Sequence, residues 1–299
     1  MEYKFTVFTP TYNRAGLLTE LYESLKMQTY KNFEWLIIDD GSVDNTEETV
    51  KEFQKENILK INYIKKENGG KQRAYNLAVE NAGGELFICL DSDDRYISEG
   101  LEIILKYWEK YGEKDDIAGM GYLSVYPDGK IIGKKFPEDI IIANQFDIYY
   151  KYKVSGDKGL MFRTQILKEY KFPEIDGEKF VTEAVVYNRI SRKYSILYIN
   201  KEIEIKQYHE DGLTSRYDSL LMNNPKGSAL YHNERNFFKM SFKDKILNNA
   251  VYYKFSRTAG ESIKKIFLDS KAVFYLIMAL PIGEYMFRKA GKDNGVKSL

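Results

Sequence analysis

Residues 84–94 read GELFICLDSDD, an apolar segment that runs directly into Asp91-Ser92-Asp93-Asp94. A short apolar run that ends at polar residues is typical of a buried strand, and this one ends in three carboxylates. Before it, residues 4–81 repeat three times an apolar or β-branched segment, a polar turn and an amphipathic helix. Strands that alternate with helices at this spacing predict an α/β fold with a mostly parallel sheet flanked by helices.

The same patterns predict the elements of the whole chain. Strands are expected at residues 4–9, 33–38, 60–65, 85–90, 118–126, 130–136, 160–163, 195–199 and 203–207, and helices at 15–28, 44–55, 72–81, 101–111 and 181–193. From residue 218 onward the apolar residues recur at helical spacing, with weak breaks at Pro225, Gly260 and Pro281. We therefore expect one domain at residues 1–215 and a helical C-terminal extension at residues 216–299.

Composition excludes several classes of protein. With 43% hydrophobic residues and a net charge of +1, the 299 residues differ from those of a disordered chain. The single Cys89 excludes an internal disulfide and a multi-cysteine zinc site. The longest apolar run, residues 272–282, is too short for a membrane-spanning helix, which needs about 20 residues. We expect no export signal and a cytoplasmic location.

The C-terminal part of the chain is basic. Residues 239–299 carry 12 Lys and Arg against 5 Asp and Glu, whereas residues 1–238 carry 33 against 39. The basic residues alternate with apolar and aromatic ones, a pattern that lets a helix lie on an anionic membrane surface. The expected partner is the inner face of the cytoplasmic membrane or a second subunit of a homodimer, and not a nucleic acid. Packing of the same stripe on the rest of the chain is the alternative.

Polar residues follow each of the first four predicted strands. Because the carboxyl ends of parallel strands meet at one edge of a sheet, where ligands bind in such folds, these residues are expected to form one site. The four groups are Asn13-Arg14, Asp39-Asp40, Asn68-Gly69-Gly70-Lys71 and Asp91-Ser92-Asp93-Asp94. Arg14 can bind phosphate. Tyr12, two residues earlier in the sequence, has a ring that can stack on a base.

The acidic groups suit two kinds of ligand. Asp91 and Asp93 are alternate residues that can hold Mg²⁺ or Mn²⁺ against phosphate oxygens. Asp40 can accept a hydrogen bond from a base or ribose. The simpler alternative for both groups is an acidic turn that caps the next helix.

In this order along the chain, the motifs resemble those of glycosyltransferase family 2, whose members have the GT-A nucleotide-diphospho-sugar transferase fold. The resemblance covers residues 4 to about 100 and rests on residues 9–14, Ser24-Leu25, Gln28-Thr29, Asn32-Phe33-Glu34, Asp39-Asp40-Gly41-Ser42, Asp44, Thr46, Asn68-Gly69-Gly70-Lys71, Asn76, Gly84-Glu85 and Asp91-Ser92-Asp93-Asp94. It implies a Rossmann-like GT-A domain at residues 1–215, with a nucleotide-sugar half at about 1–100 and an acceptor half at about 101–215. It also implies inverting transfer from a nucleotide-diphospho-sugar, usually a UDP-sugar, to a hydroxyl of a glycan or lipid-linked acceptor in polysaccharide or cell-surface glycan synthesis.

The resemblance implies roles for individual residues. Asp40 would bind the base, and Asp91 and Asp93 would hold Mn²⁺ or Mg²⁺ on the diphosphate. The nucleotide-sugar site would comprise Thr9, Pro10, Tyr12, Arg14, Asp40, Asn68, Lys71, Asp91 and Ser92. Where relatives often have Ala-Arg-Asn, this chain has Ala74-Tyr75-Asn76, so a cationic role there falls to Lys71 or Arg73.

An inverting enzyme also needs a general base that takes the proton of the acceptor hydroxyl. In relatives, this base is the second acid of a Glu-Asp pair that opens a helix about 90 residues after the metal motif. Thr182-Glu183 lies at that spacing, so we expect Glu183 to be the base, with a helix-dipole role as the alternative and Asp211 as the next candidate. His209 lies in a segment that resembles the donor-closing loop of relatives, and it either completes the metal shell or is merely solvated.

Other function classes fit the sequence less well. A dinucleotide-dependent oxidoreductase would have Gly-x-Gly-x-x-Gly after the first strand, where Pro10 and Tyr12 stand instead. A sugar-phosphate nucleotidyltransferase would need a Gly-rich basic loop there, of which Arg14-Ala15-Gly16 is a poor version. A non-catalytic nucleotide-sugar-binding protein would not need the metal carboxylates.

Overall fold

The computed structural model of the protein describes residues 2–208 and 216–293. The chain divides into two compact units. The first unit contains the described residues up to 172 and residues 186–208, and the second contains residues 173–185 and the described residues from 216 onward.

The first unit begins with four parallel strands joined by helices. Their order in the sheet is β3-β2-β1-β4. The segment YKFTVFTPT forms the first strand and the fully buried FEWLIID the second, because helices cover both faces of the sheet here. The elements are β1 (Tyr3–Thr11), α1 (Ala15–Lys26), β2 (Phe33–Asp39), α2 (Thr46–Glu56), β3 (Ile61–Lys65), α3 (Lys71–Asn81) and β4 (Gly84–Cys89).

The rest of this sheet mixes parallel and antiparallel pairs. The elements are β5 (Asp94–Tyr96), α4 (Gly100–Tyr107), a π-helical turn at Trp108–Gly112, β6 (Ile117–Val125), β7 (Ile140–Ala143), α5 (Gln145–Tyr150), β8 (Lys158–Arg163), α6 (Thr164–Glu169), α7 (Ala184–Ser191) and β9 (Ser195–Lys206). β8 is antiparallel to both β4 and β6, and β9 is parallel to β6. Strands β1, β2, β3, β4, β6 and β9 therefore all point the same way, and we call the edge where they end the carboxyl edge.

Two hydrophobic clusters cover the two faces of the sheet. Phe5 and Trp35 belong to one cluster, and Phe8 and Leu36 belong to the other. Successive side chains of a strand point to opposite faces, so each of the central strands contributes to both clusters. This packing fixes the strand ends at the carboxyl edge.

The second unit is helical. Its helices are α8 (Tyr217–Asn223), α9 (Pro225–Glu234), α10 (Phe242–Thr258), α11 (Ile263–Asp269) and α12 (Val273–Asp293). The buried carboxylate of Glu178 accepts hydrogen bonds from the backbone N–H groups of Lys226 and Gly227, so it caps α9. Within the described residues, no helix is both long and apolar enough to span a bilayer.

The predicted α/β fold with a helical C-terminal extension is confirmed, and some predicted elements are not. The strand predicted at residues 130–136 is wrong: only Ile131 forms an isolated bridge, to Val125, and the positive φ of Gly133 turns the chain away from the sheet. The strands predicted at residues 195–199 and 203–207 form the single strand β9. Pro281 does not end a helix but lies within α12.

Candidate active site

The four polar groups that follow β1, β2, β3 and β4 meet at the carboxyl edge. The first two loops are joined through Asn13, whose N–H donates to Ser42 Oγ at 2.8 Å and whose Oδ1 accepts from the Val43 N–H at 2.8 Å. Asn13 has a φ of 53°, a left-handed conformation that asparagine tolerates better than most residues. The prediction that these strand ends lie together therefore agrees with the geometry.

Residues of the first loop differ in exposure. Tyr12 is 48% exposed, so its ring is accessible to a ligand. Thr9 is fully buried, and its hydroxyl oxygen accepts a hydrogen bond from Trp35 Nε1, so this side chain belongs to the core beneath the site. Pro10 is half-buried.

The Asp40 carboxylate holds the loop that follows β3. Its two oxygens accept hydrogen bonds from the Gly69 N–H at 2.9 Å, the Gly70 N–H at 2.8 Å, Asn68 Nδ2 at 3.2 Å and Lys66 Nζ. All four lone-pair positions of the carboxylate are thus used by one loop.

Gly41 allows the two loops to approach this closely. Its φ of 89° is in the left-handed region, and a Cβ there would lie 2.9 Å from the Asn68 backbone nitrogen. Any other residue at this position would push the Asp40 and Asn68 loops apart.

Each carboxylate of the acidic motif has a cationic partner. Lys71 Nζ lies 2.7 Å from Asp91 Oδ1, and Arg14 Nη1 donates to Asp93 Oδ2 at 2.7 Å. These pairs connect the first and third loops to the fourth.

Asp94 pairs with Lys206 of β9 at 2.6 Å, and Lys206 also lies 3.4 Å from buried Glu204. Burial raises the pKa of Asp94 to about 8, although the Lys206 charge opposes this. Burial also raises the pKa of Asp91, but the positive charges of Lys71 and Lys206 lower it by more. The pKa of Asp91 therefore lies below its usual value.

The donor set fits a divalent cation only together with a ligand. In the part of the chain that the structure describes, no group of three or more acidic, histidine or cysteine side chains is placed to hold a metal ion. Asp91 and Asp93 nevertheless present carboxylate oxygens at an accessible edge, and Mg²⁺ commonly takes one or two carboxylates and completes its shell with substrate phosphates and water. The residues present suit that kind of site.

The other predicted site residues are placed as follows. Asn68 is exposed, and Ser92 is buried. Glu183 belongs to the second unit, where it is half-buried and directly precedes α7. His209 and Asp211 lie outside the described residues.

Sequence reasoning missed residues that the fold brings to this edge. Lys206 lies 112 residues from Asp94, and only its position just before a polar cluster could have indicated it. Lys66 is not part of any motif that the sequence analysis identified. Buried Thr11 Oγ1 and the buried side-chain amide of Gln72 have no hydrogen-bond partner among the described residues. Thr11 is the last residue of β1 and Gln72 lies in the first turn of α3, so both are at the carboxyl edge.

The fold and its acidic edge define the class of the protein. A sheet in the order β3-β2-β1-β4, continued by antiparallel β8 and with an acidic motif directly after β4, agrees with the GT-A fold that the sequence motifs implied. The model of the family described as "Glycosyl transferase family 2" matches residues 6–171, more than half of the chain. The chain belongs to glycosyltransferase family 2, as the sequence motifs predicted.

Curated relatives agree with this family. The chain is 36% identical over 213 residues to glycosyltransferase GlyA of Streptococcus pneumoniae, covering 67% of this chain and 30% of that protein. It is 27% identical over 227 residues to a GalNAc(5)-diNAcBac-PP-undecaprenol beta-1,3-glucosyltransferase of Campylobacter jejuni, covering 71% of this chain and 67% of that protein. The chain spans between 17% and 36% of the length of several other curated relatives that it matches.

Solved structures share the fold. Staphylococcus aureus TarS 1-349 in complex with UDP-GlcNAc matches with a TM-score of 0.60 at 19% identity, covering 98% of this chain and 92% of that chain. The mannosyltransferase PcManGT of Pyrobaculum calidifontis, in complex with GDP-Man and Mn²⁺, matches with a TM-score of 0.59 at 16% identity, covering 100% of this chain and 89% of that chain. At this identity the likeness concerns the fold.

Proposed function

We propose that the protein is an inverting glycosyltransferase that moves a sugar from a nucleotide-diphospho-sugar to a hydroxyl of a glycan or lipid-linked acceptor, in polysaccharide or cell-surface glycan synthesis. The observation that carries the proposal is the carboxyl edge, where Asp40, Asp91 and Asp93 are all held by contacts among four strand-end loops. The catalytic domain in this proposal is residues 1–215, and residues 216–299 form its extension.

The proposed donor is a UDP-sugar. Its nucleoside would lie at the end of β2, where Tyr12 offers an exposed ring and Asp40 orders the Asn68 loop. Its diphosphate would lie beside Arg14 and Lys71, which are within reach of the acidic motif. The TarS complex with UDP-GlcNAc supports a UDP-sugar, and the PcManGT complex with GDP-Man gives the alternative nucleotide.

Asp91 and Asp93 would hold Mn²⁺ or Mg²⁺, and a divalent cation supplies charge stabilisation to a leaving diphosphate. The Mn²⁺ in the PcManGT complex supports this choice. Two basic residues of this chain also contribute to binding of the diphosphate. Lys71 and Arg14 keep the two carboxylates paired before ligands bind, and both cations can then contact phosphate oxygens.

Glu183 is the proposed general base. A carboxylate that directly precedes a helix can accept the proton of an acceptor hydroxyl as that hydroxyl attacks the anomeric carbon. Asp211 is the alternative base, and His209 remains a proposed additional metal ligand.

We also propose that α12 binds the anionic inner face of the cytoplasmic membrane. Six of its large apolar side chains are exposed, namely Val273, Phe274, Ile277, Met278, Ile282 and Tyr285. Lys271 precedes the helix, and Arg288 and Lys289 are in its last turns. Apolar area beside basic residues complements an anionic leaflet, which is why we choose a membrane over a second copy of the chain.

The donor reaction tests the proposed activity. Hydrolysis of UDP-, GDP- and dTDP-sugars should be measured with the full chain, with and without Mn²⁺. We expect Mn²⁺-stimulated release of UDP from at least one UDP-sugar. Formation of a nucleotide-sugar from a sugar phosphate would instead identify a nucleotidyltransferase, and binding without any turnover would identify a non-catalytic binding protein.

A further inference from the structure

Two exposed tyrosines form a ring pair in the first unit, outside the residues assigned to the donor. Tyr126 directly follows β6, and Tyr208 follows β9 by two residues. Their ring centroids lie 5.9 Å apart at an interplanar angle of 52°. The residues are 40% and 42% exposed, although most aromatic side chains of this unit are buried in the two sheet clusters. The pair thus presents apolar ring surface to solvent.

The ring pair lies at the same edge of the sheet as the acidic motif. β6 and β9 are parallel to each other, with Val125 opposite Ile205, and both point in the direction of β4. Lys206 of β9 contacts Asp94, and Tyr208 is the next alternate residue along the chain. Tyr208 lies two residues beyond Lys206, past the end of β9, so it is at the carboxyl edge near the acidic motif.

The sheet order separates the ring pair from the nucleoside end. In the order β3-β2-β1-β4-β8-β6-β9, Asp40 follows β2, on one side of β4, and the ring pair follows β6 and β9, on the other side. At about 4.8 Å between neighbouring strands, β6 lies about 10 Å from β4. Asp91 follows β4, whereas Asp94 begins β5, which pairs with β9. The acidic motif therefore reaches from the donor side of the edge to the side of the ring pair.

A carboxylate is fixed beside the rings. The Tyr208 hydroxyl donates to Asp157 Oδ2 at 2.7 Å, and Asp157 is exposed. The backbone here is held by buried Lys158, whose Nζ donates to carbonyl oxygens that include Ile132 at 2.7 Å and Ser155 at 2.9 Å. The rings and the carboxylate consequently form a preorganised surface rather than three independent side chains.

We propose that Tyr126, Tyr208 and Asp157 bind a pyranose ring of the acceptor. This assignment deepens the proposed function and rests on it. The C–H face of a pyranose carries partial positive charge and packs on the negative face of an aromatic ring, while a carboxylate accepts hydrogen bonds from sugar hydroxyls. The nucleoside is already assigned to the end of β2, and a phosphate would be repelled by Asp157.

Glycoside binding to the full chain tests the assignment. Saturation-transfer NMR should be recorded with methyl β-D-glucopyranoside, methyl β-D-galactopyranoside and methyl 2-acetamido-2-deoxy-β-D-glucopyranoside. We expect the wild type to bind at least one of them, and Tyr126→Ala or Tyr208→Ala to weaken binding by about fivefold or more, since each removes a stacking surface. Tyr208→Phe keeps the ring and loses only the bond to Asp157, so it should bind better than Tyr208→Ala.

A second ring pair provides the matched control. Tyr107 and Tyr111 have ring centroids 6.1 Å apart but precede β6, so they lie at the opposite edge of the sheet. Tyr111→Ala should leave glycoside binding unchanged. If the wild type binds none of the three glycosides, or if the Tyr126→Ala and Tyr208→Ala variants bind them as the wild type does while remaining folded by circular dichroism, the assignment is wrong.

Nucleotide binding separates failure of this assignment from failure of the proposed function. UDP binding with Mn²⁺, measured by calorimetry, should be the same for the wild type and the ring variants. Normal UDP binding without glycoside binding would overturn the acceptor assignment alone. Loss of UDP binding in the ring variants would mean that the rings hold the nucleotide, which also overturns the assignment. If the wild type binds none of UDP, GDP and dTDP, the proposed function itself is overturned.

Discussion

Asp40 illustrates how one carboxylate can act through a loop. Because all of its lone pairs are used by residues 66–70, its first effect is to shape the nucleoside end of the site. Removing it leaves the Gly69 and Gly70 N–H groups without their acceptor. A loss of this kind affects ground state and transition state alike.

Asp40→Ala should therefore raise the donor Michaelis constant by about tenfold or more and change turnover little. Steady-state kinetics of donor hydrolysis measure both quantities. Asp40→Asn, which keeps one acceptor oxygen, should fall between Asp40→Ala and the wild type. An unchanged Michaelis constant with lost turnover would contradict this role.

Asp93→Asn should lower glycosyl transfer by about 10² or more and weaken nucleotide binding, because the amide cannot offset the charge of a cation on the diphosphate. Transfer assays with Mn²⁺ and with excess chelator measure the effect. Asp128→Asn is a suitable control, since Asp128 pairs with Lys130 at the surface. Full activity of the wild type in excess chelator would show that Asp93 acts without a metal.

Glu183→Gln should lower turnover by about 10² or more with donor affinity intact, because loss of a general base costs about 10²–10⁴ in rate and leaves diphosphate binding untouched. Single-turnover transfer and UDP titration together separate the two effects. If the variant keeps near-normal turnover, the base lies elsewhere, and Asp211→Asn is the next variant to measure.

At the scale of elements, α9 and α10 are joined by a half-buried histidine. His232 Nδ1 lies 3.0 Å from Asn248 Oδ1, and Asn248 Nδ2 donates to the His232 carbonyl at 2.7 Å. Burial lowers the pKa of His232 to about 4 from an ordinary value of 6.5. The unfolded chain therefore binds a proton near pH 6.5 that the folded chain binds only near pH 4.

The contribution of this histidine to stability should be complete above about pH 6.5 and fall as the pH drops to 4, by about 3 kcal/mol. Urea unfolding at pH 7 and pH 4.5 measures it. His232→Gln keeps a hydrogen-bonding side chain but cannot titrate, so its stability should fall less over this range. Equal losses in the variant and the wild type would disprove the contribution of His232.

The exposed face of α12 gives the second prediction at this scale. The double variant Phe274→Glu, Ile277→Glu should bind vesicles of phosphatidylglycerol and phosphatidylcholine about tenfold more weakly than the wild type, and added salt should weaken wild-type binding. Ile58→Glu in the first unit changes a similarly exposed side chain and should have no effect. A wild type that ignores anionic vesicles and forms dimers lost in the double variant would identify a subunit interface.

The elements also show what a sequence can and cannot predict. The strand-helix alternation of residues 4–90 was readable because both faces of the sheet are covered, so the strands are continuous apolar runs. Residues 130–136 misled because the β-branched Ile131 and Ile132 are typical of strands, while the positive φ of Gly133 turns the chain away from the sheet. The carboxyl-edge loops could be predicted as well, because each begins where one of these apolar runs ends. Lys206 could not, because its contact with Asp94 depends on how β9 pairs with β5.

At the scale of the whole molecule, the two units differ in how much of each could be predicted from the sequence. The first unit holds the family motifs, so the residues of the donor end could be proposed in advance. The second unit contains residues 173–185 together with the C-terminal helices, a grouping that follows from Glu178 and Asn224, whose hydrogen bonds join segments more than 40 residues apart. No local pattern could have indicated that grouping.

The ion pairs Lys71 with Asp91 and Arg14 with Asp93 have a thermodynamic consequence for the proposed enzyme. A metal that arrives alone must displace a cation from its carboxylate, which leaves that cation without a counter-charge. A diphosphate that arrives with the metal supplies new anionic partners for Lys71 and Arg14. Metal and nucleotide should therefore be heterotropic effectors of each other, and reciprocity requires that each raise the affinity of the other by the same factor. A protein arranged in this way binds the pair of ligands tightly and each single ligand weakly.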